Sequence, residues 1–389
     1  MDASVEIAGV TFRNPVVVAS SPLTRSYKHI AKCIRHGAGG AVTKTITYDP
    51  MQRVQPKPRM HVVNPKDALA GRFYSFYSVD LMSELEPLAW ARELAEARRE
   101  IGDQGVLVAS IAGRTYEEWE KLASLMQEAG ADMLELNLSC PHIEEGGLMG
   151  KAASYDAETV SNVVKAVKRS ASIPVAGKLT PQGANPVLLA RTMASSGIDA
   201  LVSTARFQGL LIDVESGKPA FWPCFGGYGG PWQVPISVAW TAHIAMEKLG
   251  KPIVGSGGIS TWRDAASFIL AGASAVQVCT SAMAKGYGVI TEIERGIESW
   301  LGSKGFGSVE EAVGLALKGV VALEKLERAK AYRVEVDEAK CTKCGVCEKT
   351  CPYGAVTLGE KISVDWDACD NCNLCASLCP ADAMVLSKI

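Results

Sequence analysis

Near its C-terminus the chain says one thing twice: CTKCGVCEKTCP at Cys341–Pro352 and CDNCNLCASLCP at Cys369–Pro380. Eight of the twelve cysteines lie in these two runs, leaving Cys33, Cys140, Cys224 and Cys279 for the preceding 340 residues. Each run reads C-x2-C-x2-C-x3-C-P, the spacing in which three thiolates wrap one cubane iron–sulfur cluster while the fourth reaches across to the other. The expected ligand sets are therefore Cys341, Cys344, Cys347 and Cys379 for one [4Fe-4S] cluster, and Cys369, Cys372, Cys375 and Cys351 for the second. A pair of zinc knuckles is the competing reading, but zinc pairs ordinarily leave a longer gap between two C-x2-C halves, and the Cys-Pro endings serve no purpose there. A tail of some fifty residues is too small to fold on apolar burial alone, so the clusters must hold it together.

The composition narrows the partners. With 40 basic against 42 acidic side chains the formal charge is −2, which argues against a nucleic-acid footprint or a polybasic membrane anchor. No apolar run approaches the length of a membrane span, and Met1–Ala8 carries no basic region followed by an apolar stretch. A reducing compartment suits this cysteine usage, so the expected location is cytoplasmic.

Before about residue 330 a short β-branched run, a Gly-rich or polar turn and an Ala-rich amphipathic stretch recur eight times. The strand candidates are Pro15–Ala19, Gly40–Lys44, Val106–Ile111, Met133–Leu138, Val175–Leu179, Ala200–Thr204, Pro252–Ser256 and Ala275–Cys279. Eight such units over some 300 residues fit an α/β fold of (β/α)8 TIM-barrel type better than an open doubly wound sheet. A leading hairpin around Val5–Phe12 would cap the barrel's bottom. Long connections at Ile46–Phe76 and Arg206–Gln233 fall at the end where barrel enzymes keep their chemistry and should build a substrate pocket. Ser308–Leu326 reads as an apolar helix with a capping box, Ser308 followed by Glu311. The expected domains are a barrel over 1–305, a helical connector over 306–332 and a two-cluster ferredoxin-like domain over 333–389.

Glycine signals follow strands seven and eight, at GSGGI (Gly255–Ile259) and QVCTS (Gln277–Ser281), where barrels bind phosphate through loop amides. Gly257 and Gly258 admit close approach of an anion; Thr280 and Ser281 offer hydroxyl or amide donors, and Cys279 its backbone amide. Tight barrel turns need glycine anyway, but an iron–sulfur tail needs an electron partner. A flavin mononucleotide, FMN, converts one-electron cluster chemistry into two-electron hydride chemistry.

Asn137-Leu138-Ser139-Cys140-Pro141-His142, Lys178-Leu179-Thr180-Pro181, Lys44-Thr45, Tyr228-Gly229-Gly230 and the GGI pattern together resemble the flavin barrels of the dihydroorotate and dihydropyrimidine dehydrogenases. The tail resembles bacterial two-cluster ferredoxins, and the pair together is most similar to the iron–sulfur subunits of bacterial NAD-dependent dihydropyrimidine dehydrogenases. The resemblance implies that the barrel holds FMN, that Cys140 is the acid/base, and that a C=C bond is reduced or formed over the flavin ring. It implies cofactor contacts from Ala19, Ser20, Lys44, Thr45, Asn137, Lys178, Thr204, Gly229, Gly230, Gly257, Gly258, Cys279, Thr280 and Ser281.

The residues agree with that chemistry. Reducing a conjugated C=C bond needs a hydride on one carbon and a proton on its neighbour, and a thiol titrates within reach of neutral pH. Cys140 is the expected donor, with His142 its rival; a buried structural cysteine is the plain alternative. Lys178, and similarly Lys44, would set a cation where charge builds on the reduced flavin, the plain alternative for either being a surface ion pair.

Asparagines that the family sets along a pyrimidine's urea-like edge are incomplete here. Asn137 remains, but Ala205-Arg206 stands for Asn-Thr, and Ser78 follows Phe76-Tyr77 where the family has asparagine. Stranding an imide's polar groups discriminates strongly, so uracil and thymine are disfavoured. Arg206, with aromatic neighbours such as Tyr77 and Trp232, suits a carboxylate on a flat or apolar body; the expected substrate contacts are Ser78, Asn137, His142, Arg206, Tyr77 and Trp232. Pairing of Arg206 with Asp213 or Glu215 is the alternative. No G-x-G-x-x-G fingerprint follows a strand, so electrons must come from outside. By resemblance the source is an FAD- and NAD(P)H-dependent subunit or a ferredoxin or flavodoxin, in a homodimer or hetero-oligomer.

Three readings follow: a flavin-dependent CH–CH oxidoreductase acting on an unsaturated carboxylate or amide, a true dihydropyrimidine or dihydroorotate dehydrogenase, or an electron-transfer subunit with a non-catalytic barrel.

Overall fold

Strands that are apolar on both faces and separated by amphipathic helices bury themselves best as a closed parallel sheet wrapped in helices, and that is what a computed structural model of the chain contains. It describes residues 2–70, 73–140, 148–183, 185–326 and 332–388. The barrel strands are β1 (Val16–Val18), β2 (Gly40–Val42), β3 (Val106–Ile111), β4 (Met133–Asn137), β5 (Val175–Lys178), β6 (Ala200–Ser203), β7 (Ile253–Ser256) and β8 (Ala275–Val278). They pair in parallel, each with the next, and β8 closes on β1. All eight lie within the runs expected from sequence.

Each strand is followed by a helix: α1 (Tyr27–Arg35), α2 (Pro87–Ile101), α3 (Tyr116–Glu128), α4 (Ala157–Ser170), α5 (Pro186–Ser195), α6 (Val234–Met246), α7 (Trp262–Leu270) and α8 (Gly288–Lys304). Their starts are written locally. Thr115, Asp156 and Asn185 accept first-turn N–H groups, and Thr261 with Asp264 forms a full capping box at α7, each a contribution of about 1 kcal/mol. Helix α3 then buries Trp119, Leu122, Ala123 and Met126, the i, i+3, i+4, i+7 stripe of a core-facing helix.

The leading hairpin, Val5–Ile7 with Val10–Phe12, turns on Ala8 and Gly9, both at positive φ. Phe12 is buried against Gly40, the first residue of β2, which puts the hairpin at the N-terminal end of the barrel.

At the opposite end the two long connections are not loose loops. Phe207–Gly209, Gly226–Gly229, Ser75–Ser78 and Met60–Val63 hydrogen-bond in that order into one four-stranded antiparallel sheet. Residues from both connections thereby share one framework.

The segment after α8 departs from expectation. Instead of one helix it forms short 3-10 turns at Glu310–Ala312, Leu315–Gly319 and Leu323–Lys325. Gly314, at φ +71°, interrupts the helical path, and Glu311 caps the N–H of Gly307 (3.0 Å) rather than that of Ser308. The apolar spacing was helical, but glycine at 314 and 319 and the β-branched pair Val320–Val321 weaken a helix there.

The chain divides after Gly319 into two compact units. The second pairs Tyr332–Val336 with Met384–Lys388 and Val356–Leu358 with Ile362–Val364, and carries short helices at Val346–Thr350 and Leu374–Ser377. The sequence repeat is also a conformational one: Lys343 and Gly345 in the first run, and Asn371 and Asn373 in the second, all take positive φ. Its buried cluster amounts to Val334, Cys347, Val356, Cys375 and Met384, too little to hold a fold unaided.

Candidate active site and cluster sites

The eight repeat cysteines gather into two clefts. One is lined by Cys341, Cys344, Cys347 and Cys379, the other by Cys351, Cys369, Cys372 and Cys375, the two crossed sets that the spacing predicts. At Cys351 burial works against ionisation. The backbone N–H groups of Tyr353, Ala355, Val356 and Gly354 outweigh it, holding the thiol below its ordinary value. Cys379 likewise accepts the Ala383 N–H at 3.2 Å. Groups that stabilise a thiolate are what a cluster ligand needs.

In the barrel one cavity opens at the C-terminal ends of the strands. Its wall includes Ala19, Ser20, Lys44, Thr45, Asn137, Cys140, Lys178, Thr204, Arg206, Gly229, Gly230, Gly257, Gly258, Cys279, Thr280 and Ser78. Strand alternation explains much of this, since Glu135 and Asn137 on β4 share one face and both line it.

The glycines make a cradle. Gly257 and Gly258 sit at φ +123° and +85°. A Cβ on Gly257 would stand 2.4 Å from Ser237 Oγ, and one on Gly258 2.4 Å from the carbonyl of Gly230. Only a bare backbone fits at these two positions of the cavity wall.

Two buried lysines face the same space. Lys44 Nζ donates to Asp80 Oδ2 at 2.5 Å, and Arg59 Nε stands 3.2 Å from Asp80 Oδ1. Burial would raise the Asp80 carboxyl; the charges of Lys44, Arg206 and Arg59 with the Lys44 hydrogen bond overcome it and hold the group below the usual carboxylate range. Lys178 Nζ donates to Gln277 Oε1 at 2.6 Å and lies 3.4 Å from Glu135 Oε1. Asn137 Nδ2 donates to Thr45 Oγ1 at 2.9 Å, while its Oδ1 accepts from the Ser139 N–H and hydroxyl. That orients the strand end just before Cys140, a buried cysteine, 8% exposed, in the cavity wall.

Arg206 does not pair with Asp213 or Glu215 in the described contacts; Asp213 instead takes the Ser216 hydroxyl at 2.7 Å. The Arg206 guanidinium donates from Nη1 to Ser78 Oγ and from Nη2 to the Asp80 carbonyl at 3.3 Å.

Three expected residues fall elsewhere. Tyr77, between Phe76 and Ser78, points to the other face of its strand, where its hydroxyl donates to the Cys224 carbonyl at 2.8 Å and its ring meets Phe221 edge-on. Trp232 packs against Phe207 and Tyr228 at ring separations of 5.4 and 5.3 Å, outside the cavity lining. The hydroxyl of Ser281 is fully buried and donates to the Ile259 carbonyl at 2.9 Å, tying the two glycine-signal loops together. His142 lies outside the described residues. Of the remaining cysteines, Cys33 is driven up to about 12 by burial and donates to the Leu23 carbonyl at 3.4 Å.

Sequence reasoning missed Asp80, Ser110, Glu135, Gln233 and Gln277, all in the cavity wall. Glu135 in MLELN and Gln277 in AVQV were legible in principle, because a polar side chain inside a buried strand needs a polar place to point.

A closed parallel barrel with a glycine cradle, two buried lysines and a thiol at its mouth, joined to a two-cluster cysteine unit, defines a flavin and iron–sulfur oxidoreductase. The dihydroorotate dehydrogenase family matches residues 2–301, and 4Fe-4S binding domains match 333–356 and 362–385. The chain belongs to the dihydroorotate dehydrogenase family. It is 34% identical over 362 residues to the NAD-dependent dihydropyrimidine dehydrogenase subunit PreA of Escherichia coli (strain K12), covering 91% of this chain and 86% of that protein. It is 37% identical over 320 residues to the dihydroorotate dehydrogenase B (NAD(+)) catalytic subunit of Pyrococcus furiosus, covering 82% of this chain and 100% of that one. The chain is thus an FMN- and iron–sulfur-dependent oxidoreductase of CH–CH bonds. No described helix is long and apolar enough to cross a membrane.

Proposed function

We propose that the barrel reduces or forms a C=C bond in a small unsaturated or aromatic-like carboxylate, with Cys140 moving the proton and Arg206 holding the carboxylate. The observation that carries this is the seat of Arg206: the guanidinium lies along Gly227, anchored on Ser78, in the wall that also holds Lys44 and Cys140.

When bound, FMN exchanges a hydride with the carbon–carbon bond and the two clusters exchange single electrons with it. The glycine cradle at Gly257, Gly258, Gly229 and Gly230 would receive its phosphate. Ala19, Ser20, Thr45, Asn137, Lys178 and Thr204, with Cys279 and Thr280, would hold the rest. Cys140 gives or takes the proton at the carbon next to the one exchanging hydride. Asn137, fixed by Thr45 and Ser139, holds that stretch of backbone in place.

Charge agrees with an anion. The positive charges of Lys44, Arg206 and Arg59 all act on Asp80, and a guanidinium in such a wall offers a carboxylate the fork that a neutral imide cannot use as well. The connection that bears Asp80's neighbours is itself basic, with Arg53, Lys57, Arg59, Lys66 and Arg72 against Asp49 and Asp67, which would draw anions to the mouth.

The relatives' names and the retained Asn137 favour a second reading, oxidation or reduction of a dihydropyrimidine or dihydroorotate. Flavin-spectrum titrations and anaerobic turnover separate the two. Uracil, thymine, orotate and a panel of unsaturated acids, each acid paired with its neutral amide, are the probes. Acids should bind and turn over while amides and uracil do not; efficient uracil or thymine turnover overturns the carboxylate reading. For electrons we infer an external donor or acceptor, an FAD- and NAD(P)H-dependent subunit or a ferredoxin, engaging the cluster unit of a homodimer or hetero-oligomer in the cytoplasm.

A further inference from the structure

Lys178, Glu135 and Gln277 come from β5, β4 and β8, yet their side chains close into one ring in the cavity wall. Lys178 Nζ donates to Gln277 Oε1 at 2.6 Å, Gln277 Nε2 donates to Glu135 Oε2 at 2.5 Å, and Lys178 Nζ stands 3.4 Å from Glu135 Oε1. Glu135 is 1% exposed and Gln277 5%. A buried carboxylate is a costly occupant for a barrel strand. The other positions of β4 are Met133, Leu134, Leu136 and the neutral Asn137, so Glu135 is its single charge. The one amide that can serve both charges at once, accepting from the ammonium and donating to the carboxylate, bridges them. Such a triad holds Lys178 in the cavity wall and offsets part of its charge there.

We propose that Glu135, oriented by Gln277, is a positioning residue that lowers the reduction potential of the flavin by compensating the charge of Lys178. The inference rests on FMN occupying this cavity. Reduction adds negative charge to the ring, so an uncompensated cation nearby favours the reduced form and a carboxylate beside that cation opposes it. The carboxylate would thereby keep the flavin poised to pass electrons to the clusters as well as to receive them.

The test is a dye-equilibrated anaerobic redox titration of the full-length, cluster-loaded holoprotein, reading the flavin by absorbance and the clusters separately by electron paramagnetic resonance. Glu135→Gln should move the flavin equilibrium about tenfold toward the reduced form, an upward shift of about 30 mV for a two-electron couple. Lys178→Met should move it the other way. In the Lys178→Met background Glu135→Gln should have much less effect, because its influence passes through the lysine. Should Glu135→Gln fail to fold, Gln277→Met keeps both charges but removes the bridge, and an upward shift is again expected. A flavin-loaded variant with an unmoved potential, or an equal shift with and without the lysine, overturns the proposal. A wild-type protein that binds no flavin would instead sink the reading of the site.

Discussion

Arg206 occupies the space that any side chain at residue 227 would need: a Cβ on Gly227 would lie 2.3 Å from Arg206 Nε and 2.4 Å from its Cζ. The guanidinium is therefore packed flat on backbone from one long connection while bonding Ser78 from the other. Gly227→Ala should displace it, weakening carboxylate binding about tenfold or more while flavin content stays intact. Comparing acid and amide titrations in that variant checks this; equal losses for both would point to general disruption of the sheet.

Cys140→Ser should slow substrate turnover by about 10²–10⁴-fold, the usual contribution of a positioned acid or base. Chemical reduction of the flavin and clusters should proceed as in the parent. Stopped-flow measurement of the two half-reactions separates these. Unchanged overall activity within a complex would favour a barrel that no longer catalyses.

Asp80 ties the cationic wall together, and Asp80→Asn should cost about 3 kcal/mol by leaving Lys44 and Arg59 uncompensated. The sign of its pH dependence follows from the direction of the shift. The folded carboxyl titrates below its ordinary value, so its contribution is complete above about pH 4, the unfolded value, and fades only as pH falls through the folded one. Denaturant melts of parent and variant should differ by the same amount from pH 8 down to 5; a gap that closed in that range would contradict the pairing.

The crossed ligand sets can be told apart chemically. Cys379→Ser should impair the cluster held by Cys341, Cys344 and Cys347, and Cys351→Ser the other, each removing roughly half the iron. Iron and sulfide analysis with electron paramagnetic resonance reads the outcome. Loss of the same cluster in both variants would mean uncrossed sets.

Much of this molecule was legible because its signals are local. The eight strands announced themselves as β-branched runs ending in glycine or polar turns, and the cysteine spacing alone paired Cys379 with the first run. Lys44, Asn137, Cys140 and Lys178 were singled out by the family resemblance of the motifs that carry them, and the barrel brings all four to one cavity wall. The four-stranded sheet was not, since Ser75–Ser78 is short, Gly226–Gly229 is short and glycine-rich, and the two connections join into one sheet only by pairing across some 150 residues of sequence. Tyr77 was misplaced for the same reason: without knowing that its segment is extended, nothing said that it faces away from Phe76 and Ser78. The supposed helix at 308–326 failed because apolar spacing was given more weight than Gly314.

Main-chain hydrogen bonds between Ser75–Ser78 and Gly226–Gly229 have one more consequence. The residues proposed to choose the ligand, Ser78 and Arg206, cannot drift independently in evolution or in motion, because each is mortared into the other's wall. New substrate preferences in this barrel should arise through paired changes on both connections, and single swaps should mostly yield proteins that bind nothing well.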